Sequence, residues 1–502
     1  MTANVAAFDG NAISPETSAF LARSHKLLIG GAWVDSGQSM ETRDPATGLA
    51  LASFAIGGAH EIDLAVKAAR RAFNGPWTRM PAAERIALLS RLARLMEQNA
   101  RLLAELDIVD NGMPRFIAEL TVANCVEMVD YYTGAILRIE GTTTAPPRHI
   151  TAETEALTYT LREPVGVVGQ IVPWNVPLST AILKLAPALA AGCTVVVKPS
   201  EETPLSLLAL GELILDAGLP EGVVNIVNGT GAEAGAALAG HPDVDKISFT
   251  GSTATGRKIV HAATGNLKKV SLELGGKSPV VVMPDADLNL AVPGVALATF
   301  FLQGQNCMAG TRVFVHEAIH DRLMDGLATF SQAMVLGHGL NPATQQGPMI
   351  SDAHTRKVMG YIDGARAAGA TLVTGGKRLD RPGNFIQPTI FTDVAADMAV
   401  AREEIFGPVM SVLRFSTTDL DEIAAMANAS PFGLSGSVWT TSLSTAHRLA
   451  ARIRSGHVSI NCHGAVGTNI PFGGYGQSGW GREFGQEGLD AYLETKAVTA
   501  RL

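Results

Sequence analysis

The 502-residue sequence has little cysteine: four residues, Cys125, Cys193, Cys307 and Cys462, far apart and with no CxxC pair. That scarcity excludes a disulfide framework and a zinc knuckle, and it fits a reducing compartment. Charge is sparing too. Charged residues make up 17% of the chain, the net charge is −8, and no block of lysines or arginines occurs. Nucleic acid and anionic membranes are therefore not expected as partners. No apolar run reaches the ~18 residues that span a bilayer. The N-terminal "MTANVAAFDGNAISPETSAF" has no basic segment leading into an apolar one, so no secretory signal is expected and the protein reads as cytoplasmic. The Rossmann fingerprint GxGxxG is also missing; "GTGAEAG", Gly229 to Gly235, is one residue too long for it. What is present is 47% hydrophobic residues, enough to fill the two or three domains that this length implies.

Roughly the first 25 residues are polar, small and aperiodic, and read as a loose arm. "KLLIGGAWVDS" reads as two short strands around Gly30 and Gly31. Four helical stretches follow, among them "AHEIDLAVKAARRAF" and "PAAERIALLSRLARLMEQNA", with apolar residues at three- and four-residue spacing. "TTTAPPRHITAETEALTYTLREP" breaks that period. Its alternation predicts an exposed antiparallel strand outside the main body. From Val165 to about Val282, β-branched runs ("VGVVGQIV", "TVVVKP", "VVNIV", "DKISFT", "KVSLEL") alternate with helical segments. Such alternation predicts a parallel sheet with helices on both faces. A second α/β stretch follows Asp285.

Cysteine scarcity makes one placement informative. In "FLQGQNCMAG", Gly304, Gln305 and Asn306 precede Cys307, allowing a tight turn that presents amides beside the sulfur. A nucleophile and a buried free thiol both remain open from the local string. "SLELGGKSP" ends an apolar strand in Glu273, whose burial would raise its pKa and suit a general base. "PWNVP" holds Asn175 between two prolines as a rigid amide donor for an oxyanion. "FTGSTATG" puts Gly251 and Ser252 where a strand enters a helix, a start that favours anions. "VVVKPSEET" places Lys198 and Glu201 at a strand end, where open α/β sheets bind nucleotides, though taken alone a solvated charge cluster is the favoured reading. "EEIFGPV" carries Glu404 and Phe406 in a loop. "HEAIH" matches the metalloprotease pattern HExxH, but His316 ends a strand and only His320 enters a helix, so no metal is expected.

In order and spacing, "PWNVP", "KPSEET", "FTGSTATG", "LELGGKSP", "GQNC", "EEIFGPV" and "PFGG" resemble the aldehyde dehydrogenase superfamily from about Lys26 onwards, and Cys307 follows Glu273 by 34 residues as in that family. The resemblance implies an α/β protein with a Rossmann-type cofactor domain (1–143 and 165–275), an α/β catalytic domain (276–485) and a small β oligomerisation domain (144–164 and 486–502). The last would have its strand edge covered by a neighbouring subunit in a homodimer or homotetramer.

It further implies that Cys307 attacks an aldehyde, that Asn175 and the Cys307 N–H hold the oxyanion, and that Glu273 activates water. Lys184 and Glu483 would relay protons and support the site. NAD, favoured over NADP, would lie against Ile171, Trp174, Lys198, Glu201, Gly231, Phe249, Gly251, Ser252, Leu274, Glu404 and Phe406. A substrate pocket would comprise Val176, Thr180, Leu183, Phe301, Asn306, Met308, Val466 and Phe472, suited to a bulky uncharged aldehyde. "FLARSHKLLIGGAWVDS" and "DNGMP" are similar to the phenylacetaldehyde dehydrogenase branch. Departures from the family are Gly476 where lysine is frequent, Val176 and Val466 where aromatics are frequent, and Asn306 and Met308 beside the thiol. Against this reading stand a semialdehyde, betaine-type or CoA-acylating enzyme of the same family and, from another class, a thiol esterase. Glu273 argues against CoA acylation, and no histidine pairs with Cys307 in the sequence to activate an esterase.

Overall fold

The structure, a computed structural model, describes residues 13–151 and 155–502. Its centre is a run of five parallel strands, β1 (Val167–Ile171), β2 (Thr194–Lys198), β3 (Val224–Ile226), β4 (Lys246–Thr250) and β5 (Lys269–Glu273). In space they lie in the order β3-β2-β1-β4-β5. Val195 and Val197 of β2 pack into one apolar layer and Val196 into another. With both faces covered, β2 (TVVVK) reads as a near-continuous apolar run, whereas β4 (KISFT) and β5 (KVSLE) alternate and bury the polar residues Lys246, Ser248 and Ser271. Antiparallel strands extend the sheet on both sides: Leu27–Ile29 and Ala32–Val34 beyond β3, and Gly479–Trp480 beside β5.

The chain leaves β1 towards β2 and β3, then crosses back to β4 and β5. Strand order therefore reverses at β1, which opens a crevice at the strands' C-terminal ends. Register places Ile171 beside Lys198, Phe249 beside Ile171, and Thr250 beside Glu273. One row of strand ends thus lines the crevice.

A second sheet of seven strands runs, in space, Thr371–Thr374, Thr389–Thr392, Val409–Phe415, Arg312–His316, Pro279–Val282, Ser435–Trp439 and His457–Ile460. All its pairings are parallel except that of the Thr371–Thr374 edge. The expected α/β architecture, Rossmann-type with a second α/β sheet, is the one observed.

Two expectations need correction. The loose arm does not extend to residue 25. Its first twelve residues lie outside the described ones, but Pro15–Leu21 is a helix capped by Ser14, with Phe20 and Leu21 buried. Glu105 holds it in place, accepting from Ser14 N at 2.8 Å, Ser14 Oγ at 2.7 Å and Thr17 Oγ1 at 2.7 Å. A tertiary partner 91 residues away decides this helix. Nor is Ala156–Pro164 solitary within the chain. It is the middle of three antiparallel strands, paired with Leu493–Arg501 along its whole length and with Thr143–Thr144. Two strand pairs before residue 60, Ser39–Arg43 with Ala50–Ala55 and Ser24–His25 with Ala50–Ala55, went unread in the sequence. Among the described residues, no helix is long and apolar enough to cross a membrane.

Candidate active site

Cys307 sits in a turn after a short helical segment, Phe301–Gly304, whose backbone is unusual. Leu302, Gln303 and Gly304 have φ of 53°, 60° and 69°, three left-handed residues in succession. For residues other than glycine this costs roughly 1 kcal/mol or more each, so surrounding contacts must enforce it. They do. Gln303 is buried and donates from Nε2 to Gly112 O at 3.3 Å and Pro348 O at 3.2 Å. Gln305 accepts at Oε1 from Ile350 N at 2.9 Å. The Gln305 side-chain amide is thereby engaged by the Ile350 backbone. The Asn306 carbonyl oxygen is 4.0 Å from Sγ and accepts from Met308 N at 3.1 Å.

Burial pushes the Cys307 thiol up to about 12, and the nearby carboxyls of Glu404 and Glu273 add to the shift. The N–H groups of Met308 and Cys307 itself work against it. Both acids thus lie within electrostatic reach of the thiol, and both donors converge on its sulfur. Asn175 joins the same place. It is buried, and its Nδ2 donates one hydrogen to Gln305 O at 3.0 Å, leaving the second free.

Glu273 ends β5 with its carboxyl buried and Oε2 without a partner. Burial raises its pKa well above the carboxylate range, the Glu483 charge raises it further, and Lys184 and Arg482 oppose. Lys184 is wholly buried and bonds the Glu483 carboxylate, with Ser248 Oγ at 3.2 Å as a second partner. Cys307, Glu273, Lys184 and Glu483 thus form one electrostatically connected cluster, and Asn175 is tied to the Cys307 turn through Gln305.

At the crevice, Lys198 Nζ meets Glu201 Oε2 at 2.9 Å beyond the end of β2. Burial disfavours the Glu201 charge, but Lys198 and the Gly231 N–H outweigh it and hold the carboxyl below its ordinary value. Ser252 caps the helix Thr253–Ala263, its Oγ accepting from Thr255 N at 3.2 Å. Buried Thr250 Oγ1 lacks a partner. Glu404 accepts from Gly276 N at 3.0 Å, and burial raises its pKa. Phe406, at φ 61°, sets its ring edge-on to Trp174 with centroids 5.3 Å apart. Ile171, Phe249 and Leu274 are buried beside them, and Gly251 adjoins the Phe249 ring. A would-be side chain at Gly231 meets nothing within 4 Å. A Lys–carboxylate pair, an unpartnered hydroxyl, a helix start and open space at strand ends fit a dinucleotide.

Thr180 and Leu183 lie on one face of the Pro177–Ala191 helix, and Val176 precedes it as the non-helical residue between Asn175 and the first turn. Met308 and Asn306 flank the thiol, and Phe301 begins its helical segment. Phe472 is bonded through its backbone to Glu483 at 2.8 and 2.7 Å, and its ring lies 6.4 Å from that of Phe484. Val466 belongs to the same loop, which Thr468 pins to Glu127 at 2.7 Å. The HExxH residues stay apart from all this. His316 packs edge-on to Phe415, and His320 bonds Thr392 Oγ1 at 2.9 Å.

Sequence reasoning missed His463, His354, Asn111, Gln303 and Phe484. His463 Nε2 lies 2.8 Å from Met308 O, and Nδ1 lies 2.9 Å from Ser437 Oγ. Burial lowers its pKa to about 4, so the neutral ring donates to the Met308 carbonyl and accepts from Ser437. His354 holds Phe406 O at 2.7 Å. The side chains of His463, His354, Asn111 and Gln303 bond main-chain atoms far away in sequence, which leaves no local motif to read.

Comparison with known proteins agrees with this geometry. The sequence model of the aldehyde dehydrogenase family matches residues 33–498. The chain is 46% identical over 479 residues to aldehyde dehydrogenase 1 of Tanacetum cinerariifolium, covering 94% of each chain. It is 45% identical over 484 residues to the mitochondrial benzaldehyde dehydrogenase of Antirrhinum majus, covering 95% of this chain and 89% of that one. The solved NAD+ complex of a Bacillus cereus aldehyde dehydrogenase superposes with a TM-score of 0.95 at 44% identity, covering 98% of this chain and 99% of that one.

Proposed function

The chain belongs to the aldehyde dehydrogenase family and is an NAD-dependent aldehyde dehydrogenase, and on that premise we propose that its substrate is a bulky, uncharged aldehyde, arylalkyl or comparably hydrophobic, released by water as the acid. The observation carrying this reading is the make-up of the pocket residues. Val176, Thr180, Leu183, Phe301, Asn306, Met308, Val466 and Phe472 include no ionised group, and the charged side chain to which the Val466 loop bonds across is an acid, Glu127. A substrate carboxylate there would lose its hydration without a partner, at several kcal/mol. Each buried substrate CH₂ adds roughly 0.8 kcal/mol of binding. The Antirrhinum relative, named for benzaldehyde, supports an aromatic substrate.

In this reading the Cys307 sulfur gives its proton to solvent water and bonds to the aldehyde carbon, displacing the C=O π pair onto oxygen. The carbonyl oxygen takes up negative charge between the free Asn175 N–H and the Cys307 N–H, donors fixed before the reaction. NAD, held by the crevice residues, would supply the acceptor for the hydride that leaves the substrate carbon. Glu273 then removes a proton from water, which attacks the thioester and frees the thiol. The Lys184–Glu483 pair tunes that carboxyl electrostatically and would take part in relaying its proton. Lys198 and Glu201 would hold the adenine ribose, Gly231 and Ser252 the pyrophosphate, and Glu404 and Phe406 the nicotinamide end. Ile171, Trp174, Phe249, Gly251 and Leu274 would wall the cleft. NADP is disfavoured because its 2′-phosphate would meet Glu201.

We further assign residues up to 143 with 165–275 to the cofactor domain, 276–485 to the catalytic domain, and 144–164 with 486–502 to an oligomerisation domain. The outer edge of Leu493–Arg501 supports association into homodimers or homotetramers. The deciding measurement is kcat/KM, followed at the reduced nicotinamide absorbance with and without CoA, for phenylacetaldehyde, benzaldehyde, octanal, acetaldehyde, betaine aldehyde and succinic semialdehyde. Arylalkyl and long apolar substrates should lead, independently of CoA. A charged substrate that outranks them all overturns the reading.

A further inference from the structure

We propose that Asn111 is a positioning residue that sets the oxyanion donor Asn175 against the Cys307 turn. The proposal rests on the roles given to Asn175 and Cys307 above. The helix Ala100–Asn111 ends between the two halves of the site. Asn111 Nδ2 donates to Trp174 O at 2.7 Å and to Asn175 O at 3.2 Å. The carbonyl of the following residue, Gly112, accepts from Gln303 Nε2 at 3.3 Å. Asn175 Nδ2 donates to Gln305 O at 3.0 Å. Together these bonds close a ring. It runs from Asn111 to Asn175, across to Gln305, back two residues to Gln303, and home to Gly112. The amide that meets the oxyanion and the turn that carries the thiol are therefore both hung from one helix end.

Three features make that end a fixed reference. Asp110, one residue earlier, accepts from Thr42 Oγ1 and from Leu205 N at 3.0 Å, so the last turn is tied to two other segments. Gly112, at φ 88°, closes the helix with its N–H on Ile108 O at 2.9 Å. The Asn111 amide has one productive orientation, because both atoms facing it are carbonyl oxygens that only accept. Its own Oδ1 is buried without a hydrogen bond. A buried oxygen left unpaired is destabilising, so fold stability alone does not account for an asparagine here. Thr203 Oγ1 reaches Trp174 O at the longer distance of 3.4 Å, whereas Asn111 spans both carbonyls of the oxyanion arm.

The test is a double-mutant cycle with a structural readout. Asn111→Ala should lower kcat about tenfold or more while leaving KM for NAD unchanged, as expected of a displaced catalytic group. In an Asn175→Ala background the same substitution should lower kcat less than about twofold, because the donor it positions is gone. Equal losses in the two backgrounds, or a loss confined to KM for NAD, overturn the proposal. A crystal structure of Asn111→Ala should show Asn175 Nδ2 beyond hydrogen-bond distance of Gln305 O; an unmoved Asn175 overturns the proposal. That readout does not depend on turnover. A wild-type protein that oxidises no aldehyde refutes the functional reading alone. Should Asn111→Ala not fold, Gln303→Met opens the ring from the other side and must show the same non-additivity with Asn175→Ala; additive losses there overturn the proposal.

Discussion

Lys184 is buried against the carboxylate of Glu483, and the two push the nearby Glu273 in opposite directions. After burial, the Glu483 charge is what raises the Glu273 pKa most, and Lys184 pulls it down. A general base works only when deprotonated, so kcat should fall as pH drops through this raised pKa, well above the usual carboxylate range. Lys184→Met removes the opposing cation, and the rising limb of the pH–kcat profile should move to higher pH. It also strands Glu483 in the interior, at a cost of about 3–5 kcal/mol. Glu483→Gln should move the limb the other way. A pH profile of each variant, beside a urea melt, checks both; a limb that moves down in Lys184→Met contradicts the electrostatics.

The two steps assigned to Cys307 and Glu273 separate in time. Cys307→Ala should abolish oxidation while NAD still binds, as calorimetry can measure. Glu273→Gln should release one equivalent of reduced nicotinamide per site and then stall, because the water step comes last. Rapid-mixing absorbance resolves the burst. Steady turnover after it would mean that another group takes the water proton. Because burial pushes the thiol up to about 12, alkylation of Cys307 by iodoacetamide in the free enzyme should keep accelerating beyond about pH 9.

Cofactor preference should follow Glu201. Its carboxyl lies beside Lys198 and is held in the charged form, so it can accept from the two ribose hydroxyls of NAD. A 2′-phosphate in the same place meets like charge. NAD should therefore lead NADP by about tenfold or more in kcat/KM, the effect of one charge contact worth ~1.4 kcal/mol. Glu201→Gln should narrow the gap from the NADP side. Equal efficiencies in the unaltered enzyme contradict the assignment.

Much of this was legible because the strand ends carry short motifs whose residues work beside one another. Glu273 closes an apolar run, Lys198 and Glu201 sit three residues apart, and Ser252 begins a helix. The alternation that predicted the parallel sheet comes from strands buried on both faces. What stayed illegible depends on partners distant in sequence. Asn111 bonds residues 63 and 64 positions away, and His463 one that is 155 away. The Pro15–Leu21 helix needs Glu105. The three left-handed residues before Cys307 include two with no glycine to announce them, and only the contacts of Gln303 and Gln305 explain them.

Two glycines at the site should respond differently to the same added methyl. At Gly275 a Cβ would come within 2.1 Å of Glu404 Oε2, the end of a flexible side chain. Gly275→Ala should therefore fold, with Glu404 displaced from its bond to Gly276 N, and the damage should appear as a raised KM for NAD rather than a lower melting temperature. At Gly304 the Cβ would lie 2.2 Å from Gly407 O, a main-chain atom that cannot swing aside, and φ is 69°. Gly304→Ala carries both left-handed strain and a backbone collision, so it should lose at least 2–3 kcal/mol of stability, by order of magnitude. It should also disorder the turn that bears Cys307, so kcat falls together with the melting temperature. Thermal melts and NAD titrations on the two variants give the comparison. If Gly275→Ala melts early while Gly304→Ala does not, the packing described around Cys307 is wrong.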